Sequence, residues 1–316
     1  MAERSEKRAY NTRESLPTVP PLTPSAITQC PAEIWGTIFA LACIDDGFTG
    51  RALSRVSRYI METSRPYKYQ SLAVTQCHFR PLTAILKELP AERRRIRYLF
   101  LWEQSWMSCS YTRGSRASEL FHTDKNHLLM LAAATLKLLE VGCHFYQFAV
   151  PFQLPVLAEM ILHGYPDHIQ PSHNIVACYP VLRCLFLEHF PTVEVEDFPA
   201  LLNTTATSLA KIRFTFSLDY VWNMVLPQLK ARTQIQKILI QAEYCNQEKC
   251  KSWCRNLKHN SELRDALVVL EPSLFTYGPI ASINRWSEVC RGHLDHWQLP
   301  EDEIDLEALA AVTNAS

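Results

Sequence analysis

The chain has 316 residues, 47% of them hydrophobic, enough for one or two domains with a sizeable apolar core. Its 32 Lys and Arg balance 32 Asp and Glu, so the formal charge is zero and no overall field draws the protein to nucleic acid. No window holds 18 uninterrupted apolar residues and the charged, proline-bearing N-terminus is unlike a signal peptide, so neither a membrane span nor secretion is expected.

Residues 1–25 read as a flexible arm. A helix is predicted from Pro31, a residue well tolerated at a first helical position, with Glu33 suiting the positive end of the helix dipole. Asp45-Asp46-Gly47 ends it. Its apolar residues form two stripes, Ile34, Ile38 and Leu41 on one and Trp35, Phe39 and Ala42 on the other. One stripe is enough to join a helix to its own core. The second is either buried inside a larger domain or left for a partner. A second helix is predicted from Thr49, with Leu53, Val56 and Ile60 on one face.

Pro31-Ala32-Glu33-Ile34-Trp35, Ile38-Phe39, Leu53-Ser54-Arg55-Val56-Ser57 and Ser71-Leu72 together resemble the F-box, in particular the F-box-like proteins abundant in mushroom-forming fungi. Cys30 departs from the leucine usual before the proline. The resemblance covers about the first quarter of the chain and implies a helical module at 26–75. Such modules bind the Skp-type adaptor of cullin-RING ubiquitin ligases. The resemblance implies that Pro31, Ile34, Trp35, Ile38, Leu53 and Val56 form or support that surface. Trp35 is the leading anchor, unless it fills the module's own core.

Downstream, an apolar-x-x-apolar-x-apolar template recurs. Its middle members are Leu72, Leu99, Leu139, Met160, Leu185, Ile212 and Ile238, with a weaker copy near Leu263–Leu270. The intervals are 27, 40, 21, 25, 27 and 26 residues, mostly within the roughly 20 to 29 expected of leucine-rich repeats. Each such strand turns its fourth and sixth positions into a shared core and must stack on neighbours to bury them. Pro81–Leu89, Asn126–Thr135, Asp219–Arg232 and Cys245–Asn256 are candidates for an outer helical layer. The fold class expected is therefore α/β: a small N-terminal helical F-box followed by an irregular leucine-rich-repeat-like solenoid at 76–298 with a helical C-terminal cap. A doubly wound parallel sheet is the alternative.

The asparagine that follows the strand in regular repeats is absent, replaced by Gln104, His144, Tyr165, Phe190, Ser217 and Glu243, so the repeats should be irregular. The longest interval holds an insertion at 102–127, expected to be an exposed loop. Residues flanking the core positions should line a concave face. That column runs from aromatic Tyr98, Phe100 and Trp102, through acidic Glu140, Glu159 and Glu188, to basic Lys211, Arg213 and Lys237. It reads either as a polarised groove that holds a protein substrate or as a solvated face without a ligand.

Enzyme signatures are missing: the sequence has no GxSxG, phosphate loop, GxGxxG or HExxH, and only eight glycines. No catalytic residues and no cofactor are expected. Eleven cysteines, an odd count without a secretory leader, fit reduced thiols in the cytoplasm or nucleus. Cys245, Cys250 and Cys254 with His259 lack the close pairing of a zinc site, so no metal is expected. The run Arg93, Arg94, Arg95 and Arg97 reads as a solvated edge. Ile280 to Trp297 recurs at helical spacing and suits a terminal cap, and 299–316 is an acidic tail or short helix. Two functions remain in view: a substrate-recognition subunit of a Skp/cullin/F-box ligase, with no nucleic-acid or membrane partner, or a repeat scaffold unconnected with ubiquitin.

Overall fold

A computed structural model of the chain describes residues 30–103, 116–146, 150–166, 178–190, 202, 206–216, 234–242 and 267–270. The N-terminal arm, the segments at 219–232 and 245–256, the cysteine cluster, the C-terminal helix and the acidic tail lie outside these residues.

The first helix, α1, spans Ala32–Ala42. Its inner stripe is Phe39, which is buried, with Trp35 stacked on it at 5.4 Å between ring centres. The Asp-Asp-Gly stop works through its side chains. One Asp45 carboxylate accepts from the Gly47 and Thr49 amides, each at 2.9 Å, and from the Thr49 hydroxyl at 2.5 Å. Gly47 sits at φ 91°, a conformation that costs glycine little and other residues much. Helix α2, Phe48–Leu53, follows directly.

The sequence predicts one helix from Thr49 through Ile60, and the structure divides it in two. Arg55 and Val56 close a turn back onto Ala52 and Leu53, and Ser57 then starts helix α3, Arg58–Ser64, by accepting from the Ile60 amide at 3.2 Å. The serines flanking the break compete locally for backbone partners, a cost to helix continuity that apolar periodicity does not register. Val56 is thereby turned out to solvent.

Eight parallel strands follow in one sheet: β1 Ser71–Thr75, β2 Tyr98–Trp102, β3 Leu138–Tyr146, β4 Glu159–Pro166, β5 Cys184–Phe190, β6 Lys211–Phe216, β7 Lys237–Ala242 and β8 Leu267–Leu270. They lie side by side in chain order. The strand order never reverses among them, so the crevice of a doubly wound sheet is absent from the described residues. The repeated template also sets the register. Leu72, Leu99, Leu139, Met160, Leu185, Ile212, Ile238 and Leu267 are successive partners across the sheet.

The helices described between strands lie on one face of the sheet. Helix α4, Phe79–Glu88, and helix α5, Arg116–Ala132, bury Phe79, Leu86, Phe121, Leu128 and Leu129 in the same cluster as the template positions. The Phe79 and Phe121 rings meet at 5.5 Å, and Arg80 bridges to Asp124 at 2.8 Å. Helix α5 corrects the expectation of a loop at 102–127 over residues 116–127, and 104–115 lie outside the described residues. It begins inside that insertion and runs on through the predicted helical segment.

The chain is thus a mixed α/β protein on an all-parallel sheet. Residues 30–70 are tied to the sheet's first edge. The Ala73 amide donates to the Asp46 carbonyl at 3.3 Å, Gln70 Nε2 to the Ala40 carbonyl at 2.7 Å, and the Ser71 hydroxyl to the Asp45 carbonyl. Ile44 packs over Phe100, Trp102 and Leu138 on the face opposite the helices.

Candidate functional site

Two regions carry the side chains singled out from the sequence. The first is the outer surface of α1 to α3. Ile34, Ile38 and Leu41 are 44–68% exposed, and Phe48, Val56 and Met61 join them. Six of the eleven large apolar side chains exposed among the described residues therefore fall between positions 34 and 61. That concentration distinguishes this surface from the scattered apolar exposure of an ordinary soluble protein. Pro31 is exposed as well, while Trp35 and Leu53 are half-buried. The two stripes of α1 are thus resolved: the outer one is Ile34, Ile38 and Leu41, and Trp35 belongs to the inner one.

The second region is the sheet face away from the helices, where strand alternation places the predicted column. Tyr98, Glu159, Lys211, Arg213 and Lys237 are half-buried there. Phe100, Trp102, Glu140 and Glu188 are buried, each no more than 3% exposed, and so do not line an open groove. The physical reason is a charge cluster one strand apart on each side. His163 lies directly opposite Glu188 and diagonally from Glu140, the two cross-strand positions within side-chain reach. Its Nε2 donates to Glu140 Oε1 at 2.6 Å and its Nδ1 donates to Glu188 Oε2.

Burial alone would drive His163 toward the neutral form. The negative charge of Glu188 and the hydrogen bond to Glu140 outweigh it and lift the pKa to about 9. At neutral pH the ring is therefore an imidazolium with both N–H groups engaged and no lone pair to accept a proton. The rings of Trp102 and Phe186 flank it, each at 6.4 Å. Arg213 lies over the outer side of Phe186 at 4.7 Å from the ring centre. Gly142 makes room for Trp102, because a Cβ at that position would overlap the indole. Such an arrangement holds three strands in register.

His163 stands on the same sheet face, and the sequence reading gives it no role. The signal for it exists: a Glu in the fifth template position of one strand, a His in the seventh of the next and a Glu in the seventh of the one after. It becomes visible once the strands are aligned. Elsewhere, burial and then Asp45 raise Cys43 to about 11, and burial raises Cys178, so both stay as thiols at neutral pH. Among the described residues no group of three His, Cys, Asp or Glu side chains is placed to hold a metal, and no helix is long and apolar enough to cross a membrane.

Compared with known proteins, the chain matches no family model and no curated protein.

Proposed function

We propose that the chain is the substrate-recognition subunit of a Skp/cullin/F-box ubiquitin ligase. The F-box-like module at 26–75 docks on the Skp-type adaptor, and the irregular leucine-rich-repeat-like body holds a protein substrate. The observation that carries this reading is the outward stripe of α1, followed in sequence by exposed Phe48 on α2, Val56 in the turn after it and Met61 on α3. Exposed apolar side chains of this kind, with exposed Arg51, Arg55 and Glu62 among them in sequence, suit a partner interface, in which a few aliphatic and aromatic anchors supply most of the affinity. The sheet contributes no chemistry in this reading. It fixes a client at a set distance from a ligase that does.

The test is capture of the full-length chain by a purified Skp-type adaptor. Ile34→Asp with Ile38→Asp, both on exposed positions, should abolish capture while leaving the circular dichroism spectrum unchanged. Wild-type protein that fails to bind the adaptor leaves the alternative, a repeat scaffold outside the ubiquitin system.

A further inference from the structure

Each strand from β2 to β7 is preceded by a core residue two positions before its first residue: Ile96, Leu136, Leu157, Leu182, Leu209 and Ile235. The next core residue is the strand's second, so the two positions between them turn away from the core together. These pairs form a continuous band along the N-terminal ends of the strands. Its ladder runs from the Lys137 amide to the Arg97 carbonyl at 2.8 Å, Ala158 to Lys137 at 2.8 Å, Arg183 to Ala158 at 2.9 Å, Ala210 to Arg183 at 2.9 Å and Gln236 to Ala210 at 2.8 Å.

The charges in this band are predominantly of one sign. Strands β2, β3, β5, β6 and β7 each bring one cation, in order Arg97, Lys137, Arg183, Lys211 and Lys237, and β4 alone brings a carboxylate, Glu159. Lys137 and Arg183 are exposed. Arg97, Lys137, Arg183 and Lys237 form no ion pair among the described residues. In a chain of zero formal charge, a predominantly basic row on one edge is a local field rather than a consequence of composition. At about 4.8 Å per strand the row spans about 24 Å, the reach of about seven residues of extended peptide.

We infer that this band receives an extended Asp/Glu-rich segment of the client protein, its carboxylates set against Arg97, Lys137, Arg183 and Lys237. A peptide fits better than a nucleic acid on two grounds. Tyr98 is the band's sole aromatic, so there is no platform for stacked bases, and Glu159 interrupts the row where a phosphate backbone would carry continuous charge. The inference rests on reading the sheet as the client-holding body, and it is separable from adaptor docking.

The probe is a fluorescein-labelled peptide of alternating glutamate and serine, about eight residues long to match the band, titrated into the full-length protein. Binding should weaken steeply with salt and fall about tenfold or more in Lys137→Glu/Arg183→Glu, with thermal melting and adaptor capture unchanged. Four results would overturn it: no binding, equal binding by the reversed-charge variant, tighter binding of a single-stranded RNA of equal charge, or a large gain in peptide affinity on removing residues 300–316. The last would assign the band to the chain's own acidic stretch Glu301–Glu307. Wild-type protein that captures the adaptor but does not bind the peptide sinks this inference alone, whereas wild-type protein that binds the peptide but not the adaptor sinks the ligase reading alone.

Discussion

His163 shows how one residue can hold separate strands together and set a pH limit. Its two carboxylates are tolerable inside the protein only as partners of a cation, so His163→Gln should destabilise the fold by about 3 to 5 kcal/mol. His163→Leu combined with Glu140→Met and Glu188→Met should recover most of that loss, because an apolar replacement leaves no buried charge. Equal denaturation midpoints for the single variant and wild type would show that the cluster adds no net stability. The pH dependence has two limbs. The folded pKa of His163, about 9, lies above its ordinary value of about 6.5, so its contribution is complete below 6.5 and is lost as pH rises through 9. His122 behaves oppositely. Burial first, then the neighbouring Lys125, lowers it to about 3, so the unfolded chain takes up a proton that the native state refuses, and stability falls as pH drops from 6.5 toward 3. Thermal melts should therefore peak near neutral pH, with slopes approaching about 1.4 kcal/mol per pH unit on each side. His163→Gln should flatten the alkaline limb and leave the acid limb intact.

Among the elements, the strands were legible and the helices less so, for a physical reason. A strand template places two core residues in every unit, and both members of each unit are buried, so the sequence repeats what the packing repeats. The break between α2 and α3 depends on which backbone groups Ser54 and Ser57 satisfy, and apolar spacing contains no trace of it. The polar and charged residues of 116–127 read as a loop in sequence, yet in α5 Lys125 is itself buried in the stripe between Phe121 and Leu128. The same limit hid the His163 cluster: its members stand 23 and 25 residues apart in sequence, and only the register brings them together. Helix α1 gives a direct test of its two faces. Trp35→Ala removes a ring stacked on the buried Phe39 and should lower the melting temperature by several degrees, whereas Ile38→Asp should leave it within about a degree. Equal shifts in differential scanning fluorimetry would contradict the assignment of inner and outer stripes.

At the scale of the whole molecule, the helical segment and the sheet are joined by more than the connecting chain. Asp46 meets the free edge of β1 with a backbone hydrogen bond, and Ile44 covers the aromatic patch beside it, which closes an edge that would otherwise invite another strand. Ile44→Asp should uncover Phe100 and Trp102, lower the melting temperature and produce concentration-dependent aggregation in light scattering. A monodisperse, unshifted variant would mean that the two parts are stabilised independently.

A sheet whose spatial order is its chain order has a simple arithmetic of growth. Because every described strand pairs only with its neighbours in sequence, duplication or loss of a single strand-and-crossover unit leaves the pairing of all earlier strands unchanged. Each added unit would lengthen the surface by one strand spacing, so the length of segment a descendant could accommodate would be set by how many units it carries.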